Sequence, residues 1–193
     1  MVELASIIAR HLAENEIRVV LVGGLAVEIY TENLYLTKDI DMVNSSYDPP
    51  SKIRTAMSKI GFHKQGRVYV NDTTDICVEF PSAPLAVGDQ LIHETTTIET
   101  EYGELPILFA MDVVKDRLAA YFHWRDRPAL VQALAIMNVH HIPPDQLEAF
   151  CKIERKTEQF TLLKKLWGEV QMRSLYSMEE IETLVMEEAV RGL

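Results

Sequence analysis

Cysteine is nearly absent from the chain, with only Cys77 and Cys151 among 193 residues, far apart in sequence. Neither a disulfide framework nor a thiolate metal site can be built from such a pair, so both read as ordinary thiols of a reducing compartment. Glycine and proline, eight of each, are too sparse for a low-complexity or collagen-like chain. Long apolar runs are missing too: stretches such as 19–22 and 105–111 fall well short of the roughly 20 residues that span a bilayer. The opening residues, Met1-Val2-Glu3-Leu4, lack the basic segment of a secretory leader, so a cytoplasmic protein with no membrane contact is expected. Basic residues are outnumbered by acidic ones, 19 to 29, giving a formal charge of −10. Duplex DNA is therefore a poor partner by bulk electrostatics, which leaves only a local basic cleft for any polyanion.

What is present is ordinary globular material, 48% hydrophobic and 25% charged, enough for one domain or one domain with a helical extension. Leu4, Ile7, Ile8 and Leu12 recur at helical spacing. Residues 17–22 form a short β-branched run that reads as a buried central strand. Gly23-Gly24 breaks it, and a helical pattern resumes over 25–30. Residues 37–43 alternate, with Thr37, Asp39 and Asp41 on one side and Lys38, Ile40 and Met42 on the other. Asp48-Pro49-Pro50 reads as a turn, Ser51 as the N-cap of a helix through Ile60, and Gly61 as its stop. A hairpin arm over 62–70 turning at Gln65-Gly66, and strands over 74–80, 91–101 and 105–108, follow. From Ala110 the period is helical to the end, with breaks at Arg127-Pro128, Ile142-Pro143-Pro144 and 175–177. The expected class is α+β over residues 1–109, then a helical region over 110–193.

Three features coincide in the first part. A buried strand runs into Gly-Gly and a helix, and this lets backbone approach a ligand and offers free N–H groups to a phosphate. Asp39-Ile40-Asp41 then sets two carboxylates on one strand face, with Cα atoms roughly 6.5–7 Å apart. Such a pair suits Mg²⁺ or Mn²⁺ bound together with substrate phosphates. A third acid on a later strand would complete the cage. Glu79, between Val78 and Phe80, and Asp75, at the strand's start where turn residues are common, are the two candidates; Glu79 is preferred.

The set Val20-Leu-Val-Gly23-Gly24-Leu-Ala-Val-Glu-Ile-Tyr30, then Thr37-Lys-Asp39-Ile-Asp41-Met-Val43, resembles the DNA polymerase beta-like nucleotidyltransferase superfamily. The stretches 80–89 and 111–120 are similar to a small prokaryotic branch that includes the AbiE and MenT type toxins of toxin–antitoxin systems. The resemblance implies a mixed sheet with flanking helices, followed by C-terminal helices forming one wall of the cleft. It implies Mg²⁺-dependent transfer of a nucleotide from an NTP to a hydroxyl on a tRNA end or a protein, with release of pyrophosphate, and a cognate antitoxin as a further partner. Asp39, Asp41 and Glu79 would hold the metal, with Glu79 also assisting deprotonation of the acceptor hydroxyl, and Gly23 and Gly24 would hold the triphosphate. Many members carry serine as the second residue of the pair; Gly24 has no hydroxyl, so phosphate contacts would rest on backbone N–H groups and a nearby cation.

Thr37, on the acidic face, either hydrogen-bonds a phosphate or packs. Lys115 is a triphosphate contact by resemblance and a surface ion-pair residue by its helical spacing from Asp112 and Asp116. His123 and Trp124 read as a buried aromatic pair, and the acidic run Glu179-Glu180 as a solvated helix face. The alternative from another class is a catalytically silent nucleotidyltransferase-like module that binds or regulates a partner. No Gly-x-Gly-x-x-Gly or Gly-Lys-Ser/Thr element is present, which disfavours other nucleotide-binding folds.

Overall fold

Period-2 alternation decides the middle of the molecule. In the computed structural model, which describes residues 1–191, Ile40 and Met42 are fully buried while Asp39 is exposed and Asp41 half-buried. A strand that alternates this way buries one face and leaves the other to chemistry or solvent.

The elements run in the order α1 (Val2–Glu14), β1 (Val19–Val22), α2 (Gly23–Tyr30), β2 (Asp39–Asn44), α3 (Pro50–Lys59), β3 (His63–Gln65), β4 (Val68–Asn71), β5 (Thr74–Glu79), β6 (Ala86–Val87), β7 (Gln90–Leu91), β8 (Thr96–Thr100) and β9 (Gly103–Ile107). Helices α4 (Ala110–Trp124), α5 (Arg127–Val139), α6 (Glu148–Ile153), α7 (Thr157–Arg173) and α8 (Met178–Arg191) follow, with a 3-10 turn at Pro144–Leu147. The protein is thus α+β. Two compact units are distinguished: residues 1–26, 36–86 and 90–109 form one, and 27–35, 87–89 and 110 onward form the other. No helix among the described residues is long and apolar enough to cross a membrane.

The first unit is a mixed sheet of seven strands in the order β3-β4-β5-β2-β1-β9-β8. β1 pairs antiparallel with β2 and parallel with β9, and β2 pairs parallel with β5. Leu21, Ile40, Met42, Val78 and Ile107 share one face and are fully buried. Helix α1 lies against β1, β9 and α3, bringing Ile8 and Leu12 into this core. Each large aliphatic side chain so buried contributes roughly 1.5–3 kcal/mol before entropy is counted.

Two local expectations fail here. Ser51 does not cap α3: the helix starts two residues earlier than such a cap would set it, with Pro49 as N-cap and Pro50 at the first helical position, and no side chain caps it. Proline's fixed φ and missing N–H suit that position without a cap. The extended arm over 91–101 is two separate pieces, because Gln90–Leu91 pairs with β6 whereas Thr96–Thr100 pairs with β9.

In the second unit α5 is apolar nearly all round and buried from Ala129 to Met137, packed by α4, α7 and α8. Asp126 caps it, its Oδ1 accepting the Ala129 N–H at 3.2 Å. Trp124 is not a buried ring but 76% exposed, and His123 is exposed as well. The buried stripe of α4 is Val114, Leu118 and Phe122, and Trp124 lies two positions off it. Glu180, read as part of a solvated run, does specific work: it accepts the N–H groups of Ser177 and Tyr176 while the Ser177 hydroxyl accepts the Glu180 N–H. That is a reciprocal capping box at the start of α8.

Candidate functional site

The site candidates are built around the end of β1. Gly23 has φ +65°, a left-handed conformation that costs a non-glycine residue roughly 1–2 kcal/mol, and it turns the strand straight into α2. A Cβ there would overlap the Asp41 carboxylate, and one on Gly24 would meet Thr37 Oγ1 at 2.8 Å. The two glycines therefore make room for Asp41 and Thr37 to lie directly against the turn. Thr37 Oγ1 accepts the Asp39 N–H at 3.3 Å, which fixes the approach of the chain to β2.

Register places the acids. Asp41 stands opposite Val22 on β1 and opposite Glu79 on β5, and Asp39 opposite Cys77. Neighbours in register project to the same face from strands about 4.8 Å apart. Asp39, Asp41 and Glu79 thus share the face opposite the buried core. Asp75 has the same parity as Glu79 but sits four residues further back on β5, about 13 Å away along the strand, and is exposed. Of the two later acids, Glu79 is the one beside Asp41.

Glu79 has a partner of its own. Its Oε1 accepts from Arg67 Nη2 at 3.0 Å, across from a side chain that is 89% exposed. An ion pair with so exposed a cation is worth little and exchanges readily. Among the described residues no group of three or more histidine, cysteine, aspartate or glutamate side chains is drawn together as a metal cage. The donor set is nonetheless all oxygen, two carboxylates on one strand face with a third in register beside them. Such a set fits a hard divalent cation that keeps water and substrate oxygens as its remaining ligands.

Lys115 belongs to the second unit, where its Nζ donates to Asp112 Oδ1 at 2.9 Å within α4. The pair with Asp112 is the one that helical spacing suggests. Asp112 also acts on Tyr30, whose hydroxyl is pushed up to about 12, first by burial and then by that negative charge.

A second ionisable cluster carries no sequence signal, because its members are distant along the chain. His123 Nε2 lies 2.7 Å from Glu154 Oε2, and Glu154 Oε1 accepts the Asp89 N–H at 3.1 Å. The Glu154 side chain is almost completely enclosed. A Cβ on Gly88, at φ +55°, would overlap the same carboxylate. Burial, followed by the Glu154 charge, raises the neighbouring Cys151 thiol to about 11. Arg67, the partner of Glu79, escapes sequence reasoning for a similar reason: the β4–β5 register brings it near Glu79.

No family model, no curated protein and no solved structure matches this chain.

Proposed function

We propose that the protein is a Mg²⁺-dependent nucleotidyltransferase of the polymerase beta-like kind, moving a nucleoside monophosphate from an NTP to a hydroxyl on a tRNA end or a protein. A place in a toxin–antitoxin pair is part of the same proposal. The observation that carries it is the register of Asp41 with Glu79 on parallel strands, on the face that holds Asp39, with the Asp41 carboxylate against Gly23. The strand order, with β1 central between an antiparallel β2 and a parallel β9, supports the corresponding fold.

In this reading Asp39 and Asp41 hold the divalent ion, which when bound neutralises triphosphate charge and makes the acceptor hydroxyl more acidic. The Gly23-Gly24 backbone and the Thr37 hydroxyl hold phosphate oxygens, as the start of a helix can. Glu79 leaves Arg67 and takes the proton of the acceptor hydroxyl. The hydroxyl oxygen bonds to the α-phosphorus, the bond to the bridging oxygen breaks, and pyrophosphate departs. Positioning and charge neutralisation supply most of the acceleration, as in phosphoryl transfer generally.

The Arg67–Glu79 pair favours one second reading, a catalytically silent module that binds nucleotide or a partner. Incubation with labelled NTPs, Mg²⁺ and either total tRNA or candidate proteins separates them. Transfer by the wild type, lost in Asp39→Ala and Asp41→Ala, supports the enzyme. Transfer that Asp39→Ala leaves intact sinks the proposed role of that residue. Mn²⁺-dependent triphosphate binding without transfer points to the silent module.

A further inference from the structure

Away from the acidic residues, the first unit carries a groove of about 760 Å³ between α1, the β8–β9 hairpin and the chain flanking β6 and β7. That volume lies within the range of small-molecule sites, roughly 300–1,000 Å³. Its lining mixes apolar residues, Val20, Leu85, Ile92 and Pro106 with Ala9 and Ala13 of α1, and the hydroxyl-bearing Ser45, Tyr47, Thr95 and Thr97. The lining also includes two arginines, Arg10 and Arg18, together with His93 and a single acid, Glu104.

The two arginines are weakly engaged. Among the described residues, the Arg10 side chain pairs with Glu14 alone, at 4.0 Å, in a pair exposed on both sides. Its stem lies beside Gly103, at φ +127°, where an added Cβ would meet Arg10 Cδ at 3.4 Å. Arg18 makes no ion pair or side-chain hydrogen bond among the described residues. Asp48, the acid that feels its charge, is held by Lys52 and Ser46, with Arg18 the least of its influences. A chain of net charge −10 thus keeps two underused cations beside a cavity with a partly apolar lining. A guanidinium matches a carboxylate, sulfonate or phosphate oxygen pair, and the apolar part of the lining matches a hydrocarbon or aromatic body.

The geometry points to a binding site for a small amphipathic monoanion, its body against Val20, Leu85, Ile92 and Pro106 and its head between Arg10 and Arg18. This is independent of the transferase reading, since none of the groove residues belongs to the acidic site. The direct test is titration of the full chain with two probes, decanoate and 8-anilinonaphthalene-1-sulfonate, followed by calorimetry and fluorescence, with inorganic phosphate as the head-only arm.

The expected result is one site per chain for both probes and at least tenfold tighter binding than phosphate. Arg10→Gln with Arg18→Gln should weaken both probes at least tenfold. Ala13→Trp should abolish binding by filling the groove; Ala13 is exposed, so the core is untouched, and the paired arginine variant decides alone should that protein misfold. Asp39→Ala should bind as the wild type does, whether or not it transfers nucleotide. No binding at millimolar probe, or binding indifferent to the arginines, overturns the proposal. So does a dimer dissolved by Ile92→Arg, which would assign the groove to a second copy.

Discussion

Replacing Gly23 by alanine probes the junction on which the site depends, and its cost can be worked from geometry. At φ +65° an alanine pays roughly 1–2 kcal/mol for the left-handed conformation. Its Cβ would also lie 2.9 Å from Asp41 Cγ and overlap the carboxylate oxygen, so Asp41 must rotate. An off-rotamer or displaced side chain adds about 0.5–1.5 kcal/mol. Against this, alanine lowers the entropy of the unfolded chain, returning about 0.4–1 kcal/mol. The net expectation is a loss of roughly 0.5–3 kcal/mol, read from equilibrium urea unfolding followed by circular dichroism. The same substitution in an Asp41→Ala background should cost less by the rotation alone, a coupling of about 0.5–1.5 kcal/mol. Gly24→Ala is the internal control. Its φ is not positive, the three atoms nearest its Cβ all belong to Thr37, and the better helix propensity of alanine, about 1 kcal/mol, offsets that contact. If Gly23→Ala costs under about 0.5 kcal/mol, or costs the same with and without the Asp41 carboxylate, the packing of Asp41 on the turn is misread.

Three further outcomes follow from side chains outside the site. Glu180 lies below its ordinary value near 4.5 because the Ser177 and Tyr176 amides, and then the Ser177 hydroxyl, favour its charged form. Its contribution to α8 is therefore complete above the ordinary carboxylate range and is lost as pH falls through the depressed native value. Helicity should decline there in the wild type, and a Glu180→Gln protein showing the same acid profile would refute this. With a disulfide reagent at pH 8, half-buried Cys77 should react while Cys151, raised to about 11 by burial and then by Glu154, stays unmodified until urea is added. Equal rates for both thiols would contradict that burial. Gln132 Oε1 is buried without a partner in the described structure, so Gln132→Met should stabilise the helical unit by about 1 kcal/mol, and a loss of that size would mean the amide is satisfied.

Much of the first unit is legible in sequence because its signals are local. Within the run over 17–22, residues 19–22 are apolar on both faces and become β1 at the centre of the sheet; of the alternation over 37–43, residues 39–43 enter β2, with Ile40 and Met42 dry and Asp39 and Asp41 on the other face. Helical periodicity from Ala110 onward becomes α4 to α8. Ser51 misleads because a serine before an apolar-periodic run resembles a cap, while Pro50 starts the helix without one. Trp124 misleads because an aromatic beside a helix end is commonly buried, yet here it falls off the stripe that α4 turns inward. The capping role of Glu180 was readable in Ser177-x-x-Glu180, a spacing overshadowed by the acidic run around it.

By itself the sequence determined the α+β class, the turn at Gly23-Gly24 and the shared face of Asp39 and Asp41, since period and backbone freedom are properties of neighbouring residues. Only the tertiary structure decided that Glu79 rather than Asp75 stands beside Asp41, that Arg67 meets Glu79, and that His123 and Glu154 meet across thirty residues of chain. Those pairings depend on strand register and helix packing, which are set by burying many side chains at once. No short stretch of residues encodes them.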